Sequence, residues 1–554
     1  MTVLTHARNR RWRWLAWLVG LAALVLPVSL LTTAAASAAQ HPAAPASRCT
    51  AAYLTSALHL SHVTVDSAAP DTSGSYTPPG TTTPITGLPD FCDVALTQTD
   101  SAGNPIHIAV WLPAKWNGRF QGIGGGGYSC GISYAGTGGP TASLQEAVEG
   151  GYAGASTDCG VPPADGATGS WALTSSGHLN WPLITDFASA GIHDMTVAGQ
   201  AVTRAFYPGQ LRDSYFFGCS TGGREGLMEA QRYPADYNGI VSGAPAINWT
   251  RFIPAEIWPA LVMNQMHDAL PTCKEDAFTA AVIKACDALD GVTDGIISDP
   301  AGCHWNADQL IGVTTPCGTI TATDAAVMNK IWQGPVTTGG RSLWYGLERG
   351  ASLAGLAATT TTNGVTTPSP FPIAASWLGT WLQQNPDWDW KTLSYAQFDK
   401  LFAQSVREFS STITTDNPDL SAFRNHGGKI LIWHGLADQL IFPQGTIQYY
   451  HRVQNAMGGA ASTDSFARLF LAPGAQHCAS AVGPAPADPL TAVVNWVEHG
   501  QAPHSILATV ADPATGAVTL SRPLCAYPLV ARYTGRGSTS QAQNFICAQH
   551  YSRQ

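Results

Sequence analysis

Charge is scarce in this chain: Asp, Glu, Lys and Arg make up 12% of its 554 residues, against about 25% in an ordinary globular domain. No basic stripe forms and no basic residues interleave with aromatics, which excludes nucleic acid as a partner. A second long apolar run is missing after Trp14–Leu31, so nothing beyond that point is expected to span a membrane. No internal repeat is evident, which excludes a solenoid or propeller. What is present is an apolar fraction of 45%, 56 Gly and 37 Pro, enough for a sizeable core with long irregular loops.

The single apolar run follows Arg8, Arg10, Arg11 and Arg13, is broken by Pro27, and precedes Ala36-Ser37-Ala38. A positive segment, an apolar stretch and a small-residue cleavage site read as a signal peptide over 1–39, with an uncleaved anchor as the alternative. Arg10-Arg11 hints at twin-arginine export without deciding it. The expected protein is secreted and acidic, since the formal charge of −9 counts four leader arginines. All twelve cysteines lie beyond the leader, and an even number in an exported chain argues for disulfides over metal thiolates. Nearest-neighbour logic suggests 49–92, 130–159, 273–317, 286–303 and 525–547, with 219–478 as the long-range bridge. Spacing alone leaves the partners of Cys130, Cys159, Cys273 and Cys317 open.

Residues 41–48 and 67–84, rich in Ala, Pro, Ser, Thr and Gly, read as tail and loop. An α/β cadence follows: strands at Ile106–Leu112 and Arg119–Ile123, a short helix at Ser143–Glu149, a strand at Tyr152–Thr157. Helical spacing returns at Met195, Ala198, Val202 and Phe206. Between 250 and 415 the alternation stops. Strands resume at Lys429–Trp433 and Phe466–Leu471, and a helix at Asp488–His499. The expected architecture is α/β: a core domain over 40–248 and 416–554, with a lid inserted at 249–415.

Gly218-Cys219-Ser220-Thr221-Gly222 lies between the apolar run Asp213–Phe217 and a helix-like stretch from Gly223. Strand, sharp turn and helix are the setting of a nucleophilic serine. Ser220 needs a base; His477, in the loop after the last strand, is the candidate, and Asp438, beyond the preceding strand, would orient it. The order Ser, Asp, His is that of α/β-hydrolases. Cys219 directly precedes the serine and Cys478 directly follows the histidine, so a disulfide between them would tie the two side chains together. The developing oxyanion needs backbone donors. Thr221 supplies one, and the Gly124–Gly127 loop is the place for the other; Gly127 is favoured, although spacing does not rank the four glycines.

In the insertion, Asp287, Asp290 and Asp294 lie close together with glycines between them, flanked by Cys286 and Cys303. Carboxylates so near one another favour a Ca²⁺ site or a solvated acidic turn. The order is not that of an EF-hand. A structural role, stabilising the lid, is expected for the ion, and no organic cofactor.

These residues resemble the tannase/feruloyl esterase family across roughly 48–550. The likeness rests on Trp116–Phe120, Gly218–Gly226, Tyr237–Pro245, Cys286–Gly291, Trp433–Asp438, Pro473–Cys478, Arg522–Cys525 and Asn544–Cys547. It implies a Ser220–Asp438–His477 triad over a Cys219–Cys478 bridge, with oxyanion donors at Gly127 and Thr221. It assigns Ca²⁺ to Asp287, Asp290 and Asp294 with the carbonyls of Val292 and Ile296. The implied substrates are galloyl esters of tannins, hydroxycinnamoyl esters of plant cell walls, or mono(2-hydroxyethyl) terephthalate, with the lid recognising the acyl group. Among the lid aromatics Trp344, Phe371, Trp377, Trp381, Trp388 and Trp390, Trp377 and Trp381 are the candidates for substrate contact. Terephthalate hydrolases of the family are understood to hold the free carboxylate with a lid arginine. This chain has no Lys or Arg between Arg349 and Lys391, which argues against that substrate. A serine peptidase of the same fold and a silent polyphenol- or cell-wall-binding relative are the competing readings.

Overall fold

Alternation along the central strands divides their side chains between two apolar cores. Phe216, Ile240, Ile430 and Ile432 face one; Tyr215, Phe217, Val241, Leu431 and Trp433 face the other. Successive strand residues point to opposite faces, so a sheet buried on both sides must read as a continuous apolar run. The computed structural model describes residues 46–549 apart from 137–138 and 163–164, so the signal peptide expected at 1–39 lies outside the described residues.

The main sheet has nine strands: β1 (Val63–Asp71), β2 (Phe91–Thr99), β3 (Pro105–Pro113), β4 (Arg119–Ile123), β5 (Ala153–Thr157), β6 (Asp213–Cys219), β7 (Gly239–Gly243), β8 (Lys429–Gly435) and β9 (Ala467–Ala472). Their order is β1-β2-β3-β5-β4-β6-β7-β8-β9. The first four neighbours pair antiparallel, and from β5 to β9 every pairing is parallel. The parallel strands all present their C-terminal ends at one edge, where loops meet helix N-termini and where open α/β sheets bind ligands.

β1 corrects the reading of 67–84 as loop. Its Pro70 sits opposite Cys92 on an edge strand, the one sheet position where a residue without an N–H is tolerated. The two-stranded and three-stranded pieces after residue 485 were also not legible in advance.

β1–β7 precede Trp249, and β8 and β9 follow Ile413. The chain between them is mainly helical, with two small hairpins. Its Trp249, Phe252, Leu261, Trp377, Phe398 and Phe409 join the same core as Phe216 and Ile240. The insertion is therefore fused to one face of the sheet, and the described residues cluster as one compact unit. All six expected disulfides form, including 130–159 and 273–317, whose pairing the spacing had left open. Among the described residues no helix is long and apolar enough to cross a membrane.

Candidate active site

Ser220 stands between β6 and the helix Thr221–Arg232 with φ 64° and ψ −123°, a conformation costly for a residue with a side chain. The surroundings hold it there. Its N–H donates to Gly243 O (3.0 Å), and its carbonyl accepts from Arg224 and Ala246. A Cβ on Gly218 would sit 2.4 Å from the Gly222 carbonyl oxygen, so only glycine allows the strand and helix to approach this closely.

Register then collects the partners. Ile123 is paired with Phe217, which sets the glycine loop after β4 beside the serine turn. Gly435 of β8 is paired with Ala472 of β9, which sets the loops carrying Asp438 and His477 side by side. The Cys219–Cys478 disulfide closes the arrangement across 259 residues. Ser220 and His477 line one cavity of about 250 Å³ together with Gly127 and Thr221.

His477 donates Nδ1–H to Asp438 Oδ2 at 2.9 Å, which leaves Nε2 with the lone pair. Asp438 is buried and accepts four hydrogen bonds. The N–H groups of Leu440 and Ile441 reach Oδ1, each at 2.9 Å. His434 joins His477 on Oδ2, at 3.1 Å. Burial alone would raise the Asp438 pKa. The neighbouring His477 and the hydrogen bonds from both histidines outweigh it and hold the carboxyl well below the usual range. His434 was not singled out in the sequence. Its Nε2 meets two acceptors, Asp438 Oδ2 and Ile441 O, so that nitrogen carries the proton, and Nδ1 faces Thr446 Oγ1 at 2.8 Å.

The four glycines, equivalent in sequence, are distinct here. Gly124, Gly125 and Gly126 give their N–H groups to Phe217 O, Glu225 Oε2 and Ser129 O. Gly127, at φ +60°, has no acceptor for its N–H among the described residues. Thr221 Oγ1 donates to the Gly127 carbonyl at 2.7 Å and couples the two backbone positions. Two amides flanking a serine are what a developing oxyanion needs.

The family model for tannase and feruloyl esterase matches residues 92–548. The chain belongs to this family. It is 45% identical to a probable feruloyl esterase of Arthroderma benhamiae over 484 residues, covering 86% of this chain and 88% of that protein. It also superposes on tannin acyl hydrolase from Aspergillus niger with a TM-score of 0.80 at 26% identity, covering 92% and 97% of the two chains. Feruloyl esterase B from Aspergillus oryzae gives 0.77 at 28% identity, covering 91% and 100%. The chain is a carboxylic ester hydrolase with the α/β-hydrolase fold.

Trp377 and Trp381, expected against substrate, are not on the cavity wall. Both are fully buried, Trp377 donating Nε1–H to Ser405 Oγ and Trp381 stacking on Tyr128. They form the floor behind Trp249, and their apolar area is spent on lid core. The wall is instead made by Trp249, Phe252, Ile253 and Glu256, with Phe371, Ile373, Leu440 and Ile441 opposite. The first four are spaced i, i+3, i+4, i+7 on the helix Trp249–Glu256, one face of it. That periodicity was present in the sequence, but nothing there told which way the face pointed. Among the described residues no Lys or Arg lines the cavity.

The acidic loop lies apart from this cavity. Asp287 accepts N–H bonds from Asp294, Gly295 and Ile296, and Asp290 accepts from Val292. Asp294 pairs with Arg522 at 2.5 Å. Burial first, and the neighbouring carboxylates after it, raise the pKa of Asp290, while burial raises that of Asp294 against the pull of Arg522. Three of the roughly four lone-pair sites of the Asp287 carboxylate are taken by these N–H groups, and Asp287, Asp290 and Asp294 do not bring one oxygen each within 4.8 Å of the others.

Proposed function

We propose that this chain hydrolyses esters of aromatic carboxylic acids, hydroxycinnamic or gallic in type, through an acyl-enzyme on Ser220. The observation that carries the proposal is the buried Asp438–His477 pair, linked through Cys478 and Cys219 to Ser220 at the wall of one aromatic-lined cavity.

His477 Nε2 takes the proton as Ser220 Oγ attacks the ester carbonyl. The N–H groups of Gly127 and Thr221 receive the oxyanion. Collapse of the tetrahedral intermediate breaks the ester C–O bond, and the leaving alcohol takes the proton from His477. Water, deprotonated by the same nitrogen, then attacks the acyl-Ser220 carbonyl, and the free acid and the serine hydroxyl are regenerated. Asp438 stays ionised throughout and holds the imidazole in its tautomer.

Trp249, Phe252 and Phe371 offer flat apolar faces to an aromatic acyl group. A wall without Lys or Arg favours a neutral ring over a terephthalate monoester. The test is a panel of methyl ferulate, methyl caffeate, methyl gallate and a terephthalate monoester, read against Ser220→Ala. Turnover of the first three and a loss of several orders of magnitude in the variant are expected. Equal turnover by Ser220→Ala would overturn the proposal.

Two further readings belong with it. Ca²⁺ would be held by Asp287, Asp290 and Asp294 with the carbonyls of Val292 and Ile296, stabilising the insertion and taking no part in ester cleavage. Export through the 1–39 leader is supported by six disulfides, which persist in oxidising compartments.

A further inference from the structure

Glu256 is out of place in its surroundings. It is the last residue of the helix Trp249–Glu256, is 1% exposed, and lines the cavity that holds Ser220 and His477. Among the described residues no group hydrogen-bonds its Oε2. Its neighbours on the same helix face are Trp249, Phe252 and Ile253, and the opposite wall is Phe371, Ile373, Leu440 and Ile441, all apolar in side-chain bulk. Of the other polar side chains on the wall, Ser220 and His477 act in the reaction and Thr221 bonds the Gly127 carbonyl, while the buried Trp249 Nε1–H, like Glu256 Oε2, has no partner among the described residues.

A buried carboxyl oxygen with nothing to bond costs stability and calls for an explanation; Glu256 differs from the other such carboxyls in lining the cavity that holds Ser220. Burial pushes the Glu256 pKa well above the carboxylate range, and the Asp438 charge adds to the effect. As a neutral acid it has one O–H to donate and oxygens left to accept. That pairing matches a phenolic hydroxyl, which also donates once and accepts. It would repel a carboxylate less than an ionised group would, but offers it no charge. The helix face from Trp249 to Glu256 advances about 10 Å, so an aromatic group can lie along the indole and phenyl with its polar substituent at the carboxyl.

We propose that Glu256 is a specificity-determining residue of this cavity, hydrogen-bonding a ring hydroxyl of the aromatic acyl group that Trp249, Phe252 and Phe371 enclose. The proposal rests on the aromatic-ester reading above and names the residue that recognises the ring hydroxyl. Because the bond is present in the bound ground state as well as the transition state, it acts mainly through KM.

The test compares methyl 4-hydroxycinnamate with methyl cinnamate in the wild-type protein, Glu256→Leu and Glu256→Gln. Using the ratio of the two substrates within each protein cancels any difference in folded fraction. In the wild type the hydroxylated ester is favoured. Glu256→Leu lowers kcat/KM for it by roughly 10- to 100-fold, as expected for one buried hydrogen bond, and leaves methyl cinnamate equal or better. Glu256→Gln, which still donates and accepts, keeps most of the preference. Parallel losses on both esters, or an unchanged ratio in Glu256→Leu, would overturn the role of Glu256 while leaving the aromatic-ester reading intact. A wild-type protein that cleaves neither ester would overturn that reading and the role with it.

Discussion

Cys219 and Cys478 are bonded to each other, so the residue before Ser220 and the residue after His477 form one covalent unit across 259 positions of chain. β6, which ends at Cys219, and β9, whose following loop holds Cys478, are not neighbours; β7 and β8 lie between. The bridge packs against the core on one face of the sheet and sets the distance between two segments that the sheet alone holds only through two other strands. Closing a loop of this length constrains the unfolded chain by up to about 5 kcal/mol, an upper figure because two further disulfides already lie within it. The double variant Cys219→Ser/Cys478→Ser is expected to lose several degrees in Tm and, more sharply, kcat. If kcat at a temperature where the variant is fully folded equals that of the wild type, the bridge serves stability alone.

Asp438 carries two histidines, and only one of them faces the cavity. His434 is buried between Asp438, Ile441 and Thr446, so its part is to fix the carboxylate that fixes His477. A hydrogen bond to an ionised group contributes about 1.5–3 kcal/mol, which corresponds to roughly 10- to 100-fold. His434→Leu is expected to lower kcat by that order with little change in KM, whereas Asp438→Asn, which upsets the His477 tautomer, costs about 10⁴-fold. A change in KM alone for His434→Leu would show that the ring acts on the cavity shape and not on the carboxylate.

How much of this was legible beforehand depended on where each signal came from. Ser220, Asp438 and His477 sit in short loops directly after strands, and strands of β-branched and aromatic residues announce themselves, so the triad could be placed without a structure. An even count of cysteines announced disulfides, but the partners of Cys130, Cys159, Cys273 and Cys317 were settled only by the fold. Trp377 and Trp381 failed because aromatic content marks a lid core and a lid cavity alike; only the packing shows that Trp249 lines the cavity and that Trp377 and Trp381 do not. Glu256 and His434 were invisible for the same reason. A carboxyl at the end of an apolar helix face reads as its solvent edge until the fold turns that face toward the serine. The edge strand β1, with Pro70 and several small residues, has too weak an alternation to be read as a strand without its partner β2.

If the acidic loop binds Ca²⁺, the ion offsets the repulsion and burial that raise the pKa values of Asp290 and Asp294. A ligand bound only by the folded state stabilises it by about 2.7 kcal/mol at a hundred times its Kd. Treatment with EGTA should lower Tm by several degrees, with recovery on adding Ca²⁺, and Asp290→Asn should remove the difference. Methyl ferulate turnover at temperatures well below Tm should not respond to EGTA. An identical Tm with and without chelator, in protein shown by metal analysis to be calcium-free, would dismiss the site.

Glu275, in the first turn of the lid helix Thr272–Cys286, gives a pH dependence with a definite sign. Burial, with Asp276 adding to it, pushes its carboxyl up to about 8, and its Oε1 has no hydrogen-bond partner. In the unfolded chain the same group ionises near 4.3. Below that pH both states are protonated and nothing is gained or lost. Between about 4.3 and 8 the folded state holds a proton that the unfolded state has released, so stability falls as pH rises, by up to about 1.4 kcal/mol per pH unit. Above 8 the loss levels off. Glu275→Gln keeps the shape and removes the titration. Its Tm should match the wild type at pH 4, exceed it by an increasing margin through pH 6 and 7, and hold a constant lead above pH 8. A lead that is the same at every pH would mean that the carboxyl is not buried as an acid, and that the gain comes from packing.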